Sequence, residues 1–198
     1  MSTDSIQGQT PRLRHRVTDA VVAAVLEELA EAGYGALTME SVARRAGASK
    51  ATLYRRWGAK EEMVLDAVAS VSQPPESSGD ATDVRSAIVE ILAGVAAWLG
   101  DPMIRRILPD LLAEGLRSEA MGRALTAHIG EPRRSAVERA LEGARRTGEV
   151  RPDVHLELLL DLTAAPIYWR ISGLRSEVDE EYLAELADLI HRYVAPSP

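Results

Sequence analysis

Apolar residues recur along this chain at helical spacing, and almost nowhere do they alternate with the period of two that a half-buried strand needs. Val17, Val21, Val22, Val25, Leu26 and Leu29 form one broad apolar face, with Glu27, Glu28 and Glu31 on the other side. This predicts a first helix near residues 16–32, ended by Gly33 and Gly35. Thr38 can cap a short second helix that places Met39, Val42, Ala43 and Ala46 on one face. Gly47 supplies a turn, Ser49 caps a third helix ending near Trp57, and a fourth runs from Lys60 to Val71.

Gln73-Pro-Pro-Glu-Ser-Ser-Gly79 is the most loop-like stretch of the chain and marks a seam. Beyond it, helices are expected near 83–99, 102–116, 119–129, 132–147, 153–173 and 178–194. Pro102, Pro132 and Pro152 suit helix starts, and Gly148 suits a helix end. Pro109 and Pro166 fall inside helical patterns, which predicts a break at the first and a kink at the second. The fold class is therefore all-α: an N-terminal three-helix helix-turn-helix head and a larger helical body. By residue, this gives an arm at 1–15 without regular structure, a head at 16–72 and a body at 81–198.

Charge refines this division. The net charge is −7, yet residues 1–70 balance to zero with nine basic and nine acidic side chains, so the remainder carries the whole excess. Within the head, residues 44–60 hold six bases (Arg44, Arg45, Lys50, Arg55, Arg56, Lys60) and no acid. A basic face on an otherwise acidic chain is what a phosphate-steering surface requires. Residues 38–57 also have the spacing of a helix-turn-helix. Leu53 and Trp57, four apart, point inward, which leaves Ala51, Tyr54 and Arg55 outward behind Ser49 and Lys50. A cation, a methyl, a phenol and a guanidinium on one helix end are usable groove chemistry. Spacing alone also fits an ordinary helix pair.

The run Gly33-Tyr34 … Leu37-Thr38 … Val42-Ala43-Arg44-Arg45-Ala46-Gly47-Ala48-Ser49-Lys50-Ala51-Thr52-Leu53-Tyr54-Arg55-Arg56-Trp57-Gly58-Ala59-Lys60-Glu61 resembles the N-terminal signature of the TetR family of transcriptional regulators. The resemblance implies that Lys50, Ala51, Thr52 and Arg55 read bases, and that Thr38, Tyr54, Arg56 and Lys60 grip phosphates. Thr38 and Lys60 stand at helix N-termini, whose free N–H groups already favour a phosphate. Arg44 and Arg45 add either backbone contacts or plain surface charge. Ala59 departs from the family, which usually has a serine or similar cap there. Arg12, Arg14 and Arg16 form either a minor-groove arm or a solubilising tail. Farther on, Arg145-Arg146-Thr147-Gly148-Glu149-Val150-Arg151-Pro152-Asp153 is similar to one branch of the same family.

In the body, the segment 153–173 is apolar nearly all round and the last helix has a similarly wide apolar surface. One chain covers one side of each; a second copy would cover the other. Leu158, Leu162, Ile171, Leu186, Leu189, Ile190 and Tyr193 are thus the expected homodimer interface, the alternative being a monomer with both helices internal. The resemblance implies the same four-helix interface, two heads reading an inverted-repeat operator in double-stranded DNA, and release by a small ligand held in the body. Trp98, Leu112, Met121, His128 and Tyr168 are the candidate lining for a small apolar or amphipathic ligand, with ordinary core as the other reading of each. In this reading the ligand shifts the helix near 102–116, and through it the fourth helix and the spacing of the heads.

Catalysis finds little support. His15, His128, His155 and His191 lie far apart with no metal-ligand spacing, and the chain has no cysteine, phosphate loop or nucleophile elbow. No catalytic residue, metal or cofactor is expected. No signal peptide or membrane span is legible, so the expected site of action is the cytoplasm, with no membrane partner. Two alternatives stay open: a helical protein-interaction module whose DNA-reading role has lapsed, and an activator.

Overall fold

A computed structural model describes residues 10–73 and 83–196, with side chains from residue 18 onward. Every regular element among them is helical. The helices are α1 (Thr10–Ala36), α2 (Met39–Arg45), α3 (Lys50–Arg56), α4 (Lys60–Val71), α5 (Val84–Gly100), α6 (Pro102–Arg117), α7 (Glu119–Leu125), α8 (Glu131–Thr147), α9 (Leu156–Tyr168) and α10 (Glu180–Val194). Single π-helical turns follow α7 at Thr126–Gly130 and α9 at Trp169–Gly173.

The chain divides into two compact units, residues 1–71 with 106–125, and residues 72–105 with 126–198. The division at 71/72 falls where the loop-like seam begins. Residues 106–125 cluster with the N-terminal helices, a pairing between distant stretches that periodicity cannot disclose.

In the first unit α1 packs on α2 and α4, α2 on α3, and α4 on α7. The core is built from Val21, Val25, Leu37, Leu53 and Met63, with Ile107, Leu111 and Met121 from the later stretch, all essentially sealed from water. The first helix begins at Thr10 and not near 16; the rest of the expected arm, residues 1–9, lies outside the described residues. At its other end Gly33 adopts φ +79°, a left-handed conformation that costs a residue with a Cβ, and so interrupts the helix as expected.

In the second unit α5 is central, packed against α8, α9 and α10. Leu92, Leu159, Ile167 and Ile190 form its sealed core. Aspartates cap its helices: Asp83 Oδ1 accepts from Ser86 N–H at 2.8 Å, and Asp179 Oδ1 from Tyr182 N–H at 2.9 Å. His155 does the same for α9, Nδ1 accepting from Leu158 N–H at 3.2 Å. The segment 145–153 acts here as a splice. Gly148 ends α8 at φ +80°, Glu149 Oε2 accepts from Val84 N–H at 2.9 Å, and Arg151 N–H donates to the Val194 carbonyl at 2.9 Å. Hydrogen bonds from Thr147 first, and from Val84 N–H, hold the Glu149 carboxyl below its usual range.

The expected break at Pro109 does not occur: α6 runs through it. Proline withholds one N–H, which leaves the carbonyl four residues earlier, that of Arg105, without its helical donor while the helix continues. Near Pro166 the irregularity takes the form of a π-turn, where α9 passes into Trp169–Gly173.

Candidate nucleic-acid interface

Two caps and one glycine set the geometry of α2 and α3. Thr38 Oγ1 accepts from Ser41 N–H at 3.0 Å while Ser41 Oγ accepts from Thr38 N–H at 3.2 Å, a reciprocal box that starts α2. After α2, Ala46 N–H donates to Val42 O and Ala48 N–H to Ala43 O around Gly47, whose φ is +62°. Ser49 Oγ then accepts from Thr52 N–H at 3.2 Å and opens α3. The chain is thus turned within four residues, and α3 emerges at a fixed angle to α2.

The inward face of α3 is anchored. Leu53 is fully buried, and Trp57 is buried with Nε1 donating to Asp66 Oδ2 on α4 at 3.0 Å. Outward lie Lys50, Ala51, Tyr54, Arg55 and Arg56, all exposed, with Tyr54 at 56 %. Thr52 is half-buried, its hydroxyl 2.9 Å from Ser49 Oγ. Of the expected base readers, Lys50, Ala51 and Arg55 therefore share one open surface with Tyr54 and Arg56, while Thr52 is partly drawn into the cap.

The cations of this region are not equally available. Arg45 is clamped by three carboxylates of α1: Nε donates to Glu28 at 2.7 Å, Nη1 to Glu27 at 3.2 Å, and the guanidinium also pairs with Glu31. Glu28 is buried, and hydrogen bonds from Ser41 first and Arg45 next hold its carboxyl below its usual range. Arg45 therefore joins α2 to α1 and neutralises the acidic face of α1. The sequence carried that signal, three glutamates within one turn and a half of α1, but not its partner.

Lys60 Nζ donates to the Tyr34 carbonyl at 2.9 Å and sits 4.0 Å over the Tyr34 ring. Tyr34 is itself buried, its N–H donating to Asp110 at 2.6 Å; burial first and a hydrogen bond to Glu61 next raise its phenol above the usual range. Arg56 reaches Thr18 and stacks on Trp57. Lys50 pairs with Glu40 at 2.6 Å, which lowers the Glu40 carboxyl below its usual range. Arg44 and Arg55 are exposed, and among the described residues no carboxylate lies within ion-pair distance of either. Arg55 is consequently the cation on α3 most ready for a base edge.

Glu40 and Lys50 are both more than half exposed, so the pair is weak and a phosphate or guanine can displace the carboxylate. Replacing Glu40 by Gln should tighten binding to any duplex about two- to fivefold, the worth of one surface pair. Fluorescence anisotropy on a labelled duplex checks this; unchanged affinity would show that Lys50 is already free in solution.

At α4, Glu62 accepts from Gly58 N–H at 2.8 Å, one residue before the N-cap position, and at that position Ala59 offers no hydroxyl to the first turn. Ala59→Ser should therefore stabilise the protein by about 0.5–1 kcal/mol. Thermal unfolding monitored by circular dichroism reads this directly, and an unchanged midpoint would mean that water already caps the helix.

The other site residues expected from sequence are dispersed. Of the candidate ligand lining, Leu112 and Met121 belong to the first unit and Trp98, His128 and Tyr168 to the second. Met121 is core, Leu112 and His128 are exposed, and Trp98 and Tyr168 are half-buried. Of the candidate interface residues, Ile171, Leu186 and Ile190 are buried by their own chain, and Leu162 and Tyr193 are half-buried. Leu158 and Leu189 stand exposed at 45 % and 48 %. Among the described residues no three histidines, aspartates or glutamates are grouped as metal ligands, and no single helix is long and apolar enough to cross a membrane.

A capped helix-turn-helix that presents a basic outer face defines a DNA-binding regulator. Comparison with known proteins gives the family. The profile described as "Bacterial regulatory proteins, tetR family" matches residues 21–67, and "Tetracyclin repressor-like, C-terminal domain" matches residues 79–190. The DNA-binding transcriptional repressor TetR of Mycobacteroides abscessus is 28 % identical over 170 residues, spanning 85 % of this chain and 88 % of its own. The uncharacterized HTH-type transcriptional regulator YdeS of Bacillus subtilis is 25 % identical over 171 residues, 84 % of each chain. Among solved structures, the TetR family transcription regulator SCO0332 superposes with a TM-score of 0.67 at 30 % identity, covering 91 % of this chain and 99 % of that one. This chain belongs to the TetR family of transcriptional regulators.

Proposed function

We propose that this regulator acts as a homodimeric repressor, in the cytoplasm, on an inverted-repeat operator that a small ligand makes it release. The observation that carries the DNA-reading half is the α3 surface: Lys50, Ala51, Tyr54 and Arg55 exposed on a helix whose other face is locked by Leu53 and Trp57. Residues 16–72 are the reading head in this proposal, with Lys50, Ala51, Thr52 and Arg55 at bases and Thr38, Tyr54, Arg56 and Lys60 at phosphates. Lys60 would exchange its carbonyl partner for a phosphate, or reach one while keeping it.

Residues 81–198 form the sensing and pairing body. Support for pairing comes from Leu158 and Leu189, large apolar side chains on α9 and α10 that the single chain leaves in water. With two such helices from each protomer, a two-fold interface sets two α3 helices about one helical turn of DNA apart or somewhat more. Binding would be strongly salt-dependent, since phosphates supply much of the affinity. Ligand and operator must weaken each other equally if release is the mechanism.

Selection of bound sequences from a random duplex library at moderate salt tests the proposal. An enriched inverted repeat is the expected outcome, and it yields the operator against which ligands are screened for release. Salt-sensitive binding to everything, with no enrichment, would instead favour a head whose reading role has lapsed.

A further inference from the structure

Two consecutive arginines at the start of α8 are treated very differently by their surroundings. Arg134 is saturated: its guanidinium pairs with Glu157 and lies within 4 Å of Glu131 and Glu138. Arg133, one residue earlier and about 100° round the helix, has no carboxylate within ion-pair distance among the described residues. It turns inward, stacking 3.8 Å from the centroid of the Trp98 ring on α5. One Nη1 hydrogen is fixed on the Ile129 carbonyl, in the π-turn before α8, at 3.0 Å.

This guanidinium is held between two elements and a turn, and among the described residues one of its five N–H groups has a protein acceptor. It is half-buried, and none of its nitrogens is both sealed from water and without a partner. Burial alone, with no opposing carboxylate, pushes its pKa down to about 10. The indole face offsets part of the lost hydration, but a partly desolvated cation without a counter-charge is ordinarily unfavourable. The neighbouring cage around Arg134 shows that this part of the surface has carboxylates to offer, and none is spent on Arg133.

We infer that Arg133, poised on Trp98 and Ile129, is the anion-recognising group of the ligand site in the body, and that the ligand is a small organic carboxylate. Planar, fixed guanidinium donors match the two oxygens of a carboxylate. This inference deepens the ligand-release reading above and rests on it for its biological meaning. It narrows the apolar or amphipathic ligand expected from sequence to one that carries a negative head.

The test uses the full-length protein labelled with ¹⁵N, titrated with benzoate and octanoate and, in parallel, with benzamide and octanamide. The readout is the indole cross-peak of Trp98, assigned by its loss in Trp98→Phe. Saturable movement of that peak with an acid, and not with its amide, is expected. Arg133→Met should weaken acid binding about 10- to 100-fold, the worth of a charge-assisted pair of hydrogen bonds, and Arg133→Lys should weaken it less. Should Arg133→Met fail to fold, Arg133→Lys alone decides, since a lysine keeps the charge and loses the fork. Amides equal to acids, acids that leave the Trp98 peak in place, or acid binding unaltered in the Arg133 variants would each overturn the inference. Operator affinity measured with the acid present separates the two readings. Acid binding through Arg133 with unchanged operator affinity keeps the site and removes ligand release; release by a neutral compound with no acid binding does the reverse.

Discussion

Replacing Leu53 by Ala should destabilise the protein by about 2–5 kcal/mol and abolish operator binding, the range for emptying a leucine's place in a packed core. Leu53 is fully buried and is the side chain by which α3 is keyed to the rest of the head. α3 is only seven residues long, too short to hold its helical form by propensity alone. Its caps at Ser49 start it, but the contacts of Leu53 and Trp57 fix which face looks outward. The base-reading side chains are positioned only as well as that inner face is held. Denaturant unfolding followed by circular dichroism measures the loss, and anisotropy on the selected operator measures binding. Parent-like stability in this variant would mean that α3 is not packed through Leu53.

Introducing Glu at both Leu158 and Leu189 should convert the proposed dimer to monomer and weaken operator binding by at least about 100-fold, because the second head would no longer bind as part of the same event. Both side chains are about half exposed in the single chain, so the folded protomer accommodates a carboxylate at either place. In a dimer the same positions would bury charge without a partner, which costs several kcal/mol per ion in typical cases. Ile171, Leu186 and Ile190 would be poor choices for the same experiment. They are buried in their own protomer, and a charge there would unfold the chain before it tested assembly. Sedimentation velocity decides the matter; a double variant that remains dimeric would place the interface elsewhere.

The course of the helices was largely legible because most are bounded by a local signal, although the helix expected from Pro152 begins at Leu156, where His155 caps it. Thr38 and Ser49 start α2 and α3 through hydrogen bonds three residues long, Gly33, Gly47 and Gly148 adopt left-handed φ where helices stop, and Asp83 and Asp179 cap where the apolar period begins. The outward face of α3 followed from the inward pair Leu53 and Trp57 by helical geometry alone. What could not be read were interactions between distant segments. Nothing local connects Arg45 to Glu27, Glu28 and Glu31, Tyr34 to Asp110, or Arg133 to Trp98. The same limit explains the dimer candidates: apolar periodicity names a face, but it does not say which of Leu186, Leu189 and Ile190 the protomer covers itself. At Pro109 the local rule misled: a proline removes one hydrogen bond of the ladder, and the rest of α6 carries the helix through it.

Lys60 shows how structure sharpens a role implied by resemblance. Its ammonium lies on the Tyr34 carbonyl and ring, and Tyr34 is bonded through its N–H to Asp110 on α6. Charge at the start of α4 is thereby tied to a residue of α6 within one compact unit. A shift of α6 would therefore be felt at Lys60 through Tyr34, as well as by α4 as a whole. This is consistent with the proposed release mechanism and gives it named atoms.

The central claim is that the exposed face of α3 reads bases within a two-fold assembly, and Arg55 tests it most directly. Parent protein and Arg55→Ala should be taken through the same random-duplex selection, and the enriched pools compared base by base. The parent pool should hold an inverted repeat, and the Arg55→Ala pool should lose its preference at one position in each half-site, symmetrically, while keeping the others. Identical pools, or no symmetric motif in either, would contradict it.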